Sequence, residues 1–459
     1  MNVYMYAFLG YMTVIALIGW WFSKQSTSSD HFALGNRSLN YLATAIAAHS
    51  SDMSIWLFMG LPAAIFVTGM TTAWIPFGLM LGMYLSWSFV AQPLRTQSEK
   101  YGSVTLGSFF SSAFHDKTGS IRALTAILSL LFFVFYISSG LVGMGLMFES
   151  TFKLNYHLGV GIALLTTIAY TLLGGFLAVA WCDLFQGLFL VVAILLVPVL
   201  ALFNLPASHC LTTAAELRNV SLSIIPHSVN ELVSALMLAI GWGLGYFGQP
   251  HILVNFMASD KSTSLTKAKW VGMLWQLLTL GAAVAVGLIA IIYFFDCPIQ
   301  PELIFVTMVQ DLFSPLAAGI VLCAIVAAGL TTIDTQILVT ASTFAKDLYQ
   351  PFINPKASEK DLLFVTKLGV VLLPCISFAI AFSKHASVYS LVDYAWSGLG
   401  SCFGPVMLVA LYGKKTSVRT VVVGMVTAGV IAGLWPLAGT AIQSMIPAFL
   451  TNLAILLLL

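Results

Sequence analysis

Gly241-Trp242-Gly243-Leu244-Gly245-Tyr246-Phe247-Gly248-Gln249-Pro250-His251 sets four glycines and a proline inside one long apolar stretch. Each internal Gly costs about 1 kcal/mol relative to Ala in a helix, and Pro removes a backbone donor, so the stretch favours an unwound or kinked backbone. In a bilayer such backbone is tolerated only where protein or a water-filled cavity satisfies its polar groups. A second irregular point lies at Asp52, within an apolar run from Leu42 to Val67, flanked by Ser50, Ser51 and Ser54 and followed by Gly60 and Pro62. A charge near the bilayer centre costs at least roughly 2.5–3.5 kcal/mol, so a carboxylate there points to an ion or solute path inside a bundle.

Composition agrees with the bilayer. Hydrophobic residues make up 59% of the 459 and charged residues only 8%, against about 25% charged in a soluble domain. The first apolar run, Val3 to Phe22, is long enough to cross, and with no basic region before it and no cleavage site before Lys24 it reads as a retained first helix. Hydropathy with breaks at Gly, Pro and charge clusters predicts an all-α membrane protein of about thirteen spans. They fall near 3–22, 42–68, 72–94, 122–148, 157–178, 183–204, 231–257, 270–295, 314–344, 363–383, 388–412, 418–435 and 440–459, with Glu302 to Leu312 either a short helix or a loop.

Basic residues test that topology, because cytoplasmic loops concentrate Lys and Arg. With the N-terminus outside and the C-terminus inside, all but Lys153, Arg218 and Lys384 of the 19 basic residues fall on the cytoplasmic side. The net charge of +2 carries no nucleic-acid signal, and no obligatory protein partner is implied beyond the lipid bilayer and a small solute. The two irregular spans are the second and the seventh, five apart. Carriers built from two inverted five-helix repeats place broken helices at matching positions and bind between them. Spans 2–6 (42–204) and 7–11 (231–412) therefore read as the repeats of a single transporter domain, with 1–22 and 418–459 peripheral.

In the ninth span, Ala328, Thr331 and Thr332 share one helical face, bringing two hydroxyls and a carbonyl together. Hard oxygen donors of low charge suit a desolvated Na⁺, although membrane threonines also bond back to the preceding turn or across helices. Cys182, Cys323, Cys375 and Cys402 follow no metal-ligand spacing and read as small core residues, while Cys210 and Cys297 could pair in an oxidising compartment. No catalytic constellation or nucleotide motif is found, so a non-enzyme is expected.

Ser51-Asp52-Met53-Ser54 with Trp56 and Met59-Gly60-Leu61-Pro62, Tyr136 with Ser139-Gly140, Gly174-Gly175-Phe176-Leu177-Ala178, Gly245 to His251, and Ala395-Trp396-Ser397-Gly398-Leu399-Gly400 together resemble the sodium:solute symporter family, most closely its sodium/proline symporters. The resemblance covers nearly the whole chain and implies a leucine-transporter-like five-plus-five core. It implies Na⁺ as the co-transported ion, held by the carbonyls of Ser50, Met53 and Ala328 and the hydroxyls of Thr331 and Thr332. Asp52 would support or couple the site, with Arg37 and Asp183 also at positions tied to ion coupling. Solute would sit beside Trp242, Tyr246 and Pro250, with Ser54, Trp56 and Tyr136 nearby.

Na⁺-coupled import of L-proline through a bacterial inner membrane, by alternating access and without an organic cofactor, is the function implied; another small carboxylate such as pantothenate or a different amino acid is the alternative. A solute sensor would need an attached output domain, which the chain to Leu459 does not carry. Three departures from the proline-symporter pattern surround the site. Ile55 replaces a glycine beside the solute and is expected to narrow or reshape the pocket. His49 adds a group able to titrate near neutral pH or to pack in the core, and Asp334 adds a carboxylate one turn beyond the threonines. Asp393 is expected near an interface.

Overall fold

The computed structural model describes residues 3–23, 28–205, 210–295, 298–384, 387–413, 416–440 and 442–459. Their regular secondary structure is helical, apart from two isolated bridges, Leu39 with Ser259 and Gly69 with Ser221. Ten helices among the described residues are long and apolar enough to cross a membrane, or eleven when a pair bent by 68° is counted as one. Two shorter apolar helices, Tyr156–Leu172 and Met445–Leu458, fall where the fifth and thirteenth spans are expected. Cys182, Cys323 and Cys402 are buried, but Cys375 is exposed rather than in the core. Cys297 lies outside the described residues, and so does the proposed pairing with Cys210; Lys24, Lys414 and Lys415 are outside them too.

α1 (Val3–Ser23) is followed by the bent pair α2 (Tyr41–Met53) and α3 (Gly60–Thr68). Asn40 starts α2 by accepting from Ala43 N at 2.9 Å, a side-chain cap of the ordinary kind. α4 (Trp74–Leu85) runs through a π-helical turn, Ser86–Ala91, into α5 (Gln92–Lys100). α6 (Ser120–Phe152) leads to α7 (Tyr156–Phe203), whose axis breaks at Gly175, φ 61° and ψ −178°. That break corrects the predicted loop between the fifth and sixth spans: residues 179–182 are helical and the break sits at Gly175, which without a Cβ takes a positive φ.

α8 (Val229–Leu244) gives way to a short 3₁₀ stretch at Gly245–Phe247, and α9 (Pro250–Met257) restarts with Pro250 in its first turn. The irregularity is thus narrower than the glycine pattern predicts, with Trp242 still in regular helix. α10 (Ser264–Tyr293), α11 (Pro315–Thr343), α12 (Glu359–Ala381), α13 (Val388–Tyr412), α14 (Val418–Leu434) and α15 (Met445–Leu458) complete the bundle, and Ile304–Leu312 is a short helix.

Close helix crossing rests on small residues, as is usual in lipid, where Leu gains nothing by leaving the tails. α4 meets α8 at Gly78, Gly82, Ala239 and Gly243. A Cβ on Gly78 would lie 2.0 Å from the Ala239 carbonyl oxygen, and one on Gly82 2.2 Å from that of Gly243.

The two ends of the bundle differ. At one, Arg37 donates to the carbonyls of Met257 and Ser103, both at 2.6 Å, and to Ser98 O and Oγ, both at 3.1 Å. Arg95 Nε donates to Ser259 O at 2.5 Å, and Leu39 exchanges backbone bonds with Ala258 (3.1 Å) and Asp260 (2.8 Å). Burial, with Arg95 close by, brings the Arg37 guanidinium down to about 10, so it stays charged at neutral pH. At the other end Glu302 accepts from Val388 N (3.1 Å) and Ser387 Oγ (3.3 Å), beside an open vestibule lined by Gly60, Lys384 and Tyr389.

Candidate functional site

A helix end leaves its last four carbonyls without intrahelical partners, and in α2 these belong to Ser50, Ser51, Asp52 and Met53. The stop is enforced at Ser54, whose φ of 50° with ψ of −172° cannot continue a helix. Ser50 O accepts from Thr331 Oγ1 at 3.1 Å and Thr332 Oγ1 at 3.4 Å, and the same hydroxyls reach Ala328 O at 3.2 and 3.1 Å. Four oxygens from two helices, 281 residues apart in sequence, therefore converge in a fully enclosed spot. At these distances the hydroxyls are hydrogen-bonded to the two carbonyls, so the four hard oxygens already face one another, as a small hard cation requires of its ligands.

Asp52 faces the other way. Its Oδ2 accepts from Tyr246 OH at 2.5 Å, and that phenol accepts from Gln276 Nε2 at 2.9 Å, while Tyr136 OH donates to Asp52 O at 3.4 Å. Asp52, Tyr136 and Tyr246 border a small, tightly closed cavity that Met53, Ser54, Trp56 and Trp242 also line. Its walls are aromatic: Trp56 and Trp242 lie 5.2 Å apart, Tyr246 meets Trp396 edge-on at 5.0 Å, and Trp396 Nε1 donates to Trp242 O at 2.9 Å. The Trp56 indole N–H is buried with no partner among the described residues, a donor available to an anionic group. Apolar rings with a few convergent polar groups are what a small zwitterion requires.

The sequence profile described as "Sodium:solute symporter family" matches residues 32–428. The chain belongs to the sodium:solute symporter family. It is similar to the high-affinity proline transporter PutP of Bacillus subtilis, at 39% identity over 95% of this chain and 93% of that one. It is also 36% identical to the sodium/proline symporter of Escherichia coli, over 96% and 88% of the two chains. Among solved structures, a Na⁺-coupled sialic acid symporter superposes with a TM-score of 0.85 at 16% identity, covering 100% of this chain and 97% of that one. MhsT in complex with L-phenylalanine gives 0.59 at 15% identity, covering 90% and 97%. Both show a shared fold, that of an integral multi-pass membrane protein.

Within this symporter-family fold, the predicted residues Ser50, Ala328, Thr331 and Thr332 meet, whereas Met53, the last residue of α2, lines the aromatic cavity instead. Ser54, Trp56, Tyr136, Trp242 and Tyr246 line one cavity. Ile55 does not: its side chain lies where a Cβ on Gly143 would sit 2.4 Å from its Cγ2, and one on Gly329 2.9 Å from its Cδ1, so it fills space that two glycines vacate. The expected narrowing of the pocket is thereby corrected. Pro250 belongs to a separate cavity with Ala33, Leu106 and Met257, on the far side of the break that follows Tyr246.

Arg37 sits at the sealed end, remote from the oxygens, whereas Asp183 lies within α7, with Oδ2 accepting from Thr335 Oγ1 at 3.3 Å. Asp183 is therefore not at the start of a span, as the sequence reading had it, but nine residues inside. Thr335 also approaches Asp334, which is wholly buried. His49 accepts from Trp87 Nε1 at 3.1 Å, and Asp393, half-buried near the start of α13, is bonded by Gln443 Nε2. Sequence reasoning passed over Gln276, Leu79, Val392 and Trp396. A glutamine inside an apolar span and a Trp inside a quoted motif were usable signals; Leu79 and Val392 carry none.

Proposed function

We propose that this protein couples the inward flow of Na⁺ to the import of L-proline by alternating access. The observation that carries the reading is the meeting of the Thr331 and Thr332 hydroxyls and the Ala328 carbonyl with the Ser50 carbonyl that the break after Met53 releases. Na⁺ drawn into those oxygens holds α2 against α11 and so favours a solute cavity bounded on one side by Asp52. The carboxylate and secondary ammonium of proline meet the Trp56 N–H and the Asp52–Tyr246 pair, and its ring lies against Trp242 and Trp396. No covalent step is needed. A potential of 100 mV supplies about 2.3 kcal/mol per charge and a tenfold gradient about 1.4 kcal/mol, enough for accumulation of several hundred-fold with one ion.

The names of the B. subtilis and E. coli relatives support the substrate. The feature that favoured another small carboxylate was Ile55, and it turns away from the cavity. The basic cluster around Arg37 and Arg95 supports a bacterial inner-membrane orientation with that end cytoplasmic and the N-terminus outside.

Uptake of radiolabelled L-proline into proteoliposomes, with and without an inward Na⁺ gradient, tests this. Accumulation should require Na⁺, and Thr332→Ala and Asp52→Asn should each reduce it at least about tenfold, since the first removes a buried hydroxyl of the ion site and the second the buried charge beside it. Uptake indifferent to Na⁺, or unimpaired in Thr332→Ala, ends the reading.

A further inference from the structure

We infer that the π-helical turn Ser86–Ala91 is a two-armed brace that keeps the ion-binding end of α2 in register with the broken stretch after α8, making Ser86, Trp87 and His49 positioning residues for coupling. The inference rests on the reading of Ser50 as an ion-ligating carbonyl. A π-turn adds a residue to the helical repeat and re-aims the side chains around it, and such turns concentrate at functional sites. Here it gives adjacent residues different partners. Ser86 Oγ donates to Tyr246 O at 3.1 Å, the residue whose phenol holds Asp52. Trp87 Nε1 donates to His49 Nε2 at 3.1 Å, one residue before the carbonyl that receives both threonines.

The second arm is clasped from several sides. The imidazole lies 14° from parallel with the Trp87 ring at 6.0 Å and packs on Trp275 at 6.0 Å. Gly272 makes room for it, because a Cβ there would fall 2.2 Å from His49 Nε2. Trp275 Nε1 donates to Gly187 O at 2.9 Å, and a Cβ on Gly187 would sit 3.2 Å from Ser50 Cβ. Ser86, His49 and Tyr246 are wholly buried and Trp87 is nearly so, so a broken arm leaves a polar group without water or partner. Movement of the Ser50 carbonyl therefore carries the turn with it, and the turn carries the Tyr246 carbonyl at the edge of the solute cavity.

The test measures half-saturation by Na⁺ and by L-proline, separately from maximal rate, in the reconstituted full chain. Trp87→Phe keeps the ring that packs on Phe256 at 4.4 Å but removes the N–H, and Ser86→Ala removes the hydroxyl. Trp87→Phe should raise the Na⁺ concentration at half-maximal uptake about 3- to 10-fold, and Ser86→Ala should raise the proline value by a similar factor. In the double variant each half-saturation value should rise by less than the product of the two single-variant shifts in that same value, because both arms act through one element. His49→Gln, whose amide oxygen still accepts, should stay within about twofold of the parent.

A merely structural role lowers maximal rate or yield and leaves both half-saturation values in place, and that result overturns the brace. Should Trp87→Phe fail to reconstitute, an unchanged proline value in Ser86→Ala overturns it alone. Thr332→Ala separates the two readings. A lost Na⁺ response there, with Trp87→Phe and Ser86→Ala unchanged, removes the brace and leaves the ion site, whereas a wild-type Na⁺ response removes the ion site itself.

Discussion

Ser54 holds φ 50° and ψ −172°, a conformation that an L-residue keeps only when its surroundings impose it, at roughly 1–3 kcal/mol. Its hydroxyl accepts from Trp56 N at 3.1 Å, which fastens the short 3₁₀ turn that follows. The same turn sends Ile55 into the space between Gly143 and Gly329 rather than into the cavity. Ile55→Ala should accordingly lower stability by about 2–4 kcal/mol, as for other buried Ile truncations, without changing which solutes compete with proline. A shifted competition profile, measured with a panel of labelled amino acids, would return Ile55 to the pocket. The oxygen cluster was legible in the sequence because i, i+3 and i+4 spacing survives within an unbroken helix, and α11 is unbroken through Ala328 to Thr332. The direction of Ile55 was not, because helical periodicity says nothing across a residue with positive φ.

Among the elements, the break after α8 was visible as glycines and a proline, yet its extent was not. Gly243 lies in regular helix, where its missing Cβ lets α4 cross closely, and Gly248 marks the true break. A Cβ on Gly248 would lie 2.5 Å from Gly404 N and 2.7 Å from Gly400 O, both backbone atoms that no rotamer can move aside. Gly248→Ala should therefore separate α9 from α13, with a loss of roughly 1–3 kcal/mol and near-abolished uptake. A variant that transports normally with an unchanged thermal midpoint would show that α13 yields at this crossing. The boundary inside α7 was misplaced for a related reason. Gly174 and Gly175 lay inside the expected fifth span and Asp183 read as the start of the sixth, when it is a buried residue within α7 bonded by Thr335. Charge inside a membrane helix and charge at its end look alike in sequence; only packing tells them apart.

Taken whole, the molecule closes its cavity by unlike means on its two sides. Toward Arg37 the seal is backbone bonding between Leu39 and Asp260, reinforced by two guanidinium groups on main-chain carbonyls. Toward the vestibule the cover is side chains, with Tyr389 packed on Trp242 at 5.7 Å and Trp242 on Trp56 at 5.2 Å. Rotating rings is fast; parting paired backbone and moving helices belongs to microseconds or longer. Loading from the vestibule should then come to equilibrium many times before each crossing, which fixes the meaning of a transport constant. The proline concentration at half-maximal uptake should equal the dissociation constant from equilibrium binding at the same Na⁺. A KM several-fold above that Kd would place the slow step in the aromatic rings, and the lighter door would be the one that sets the pace.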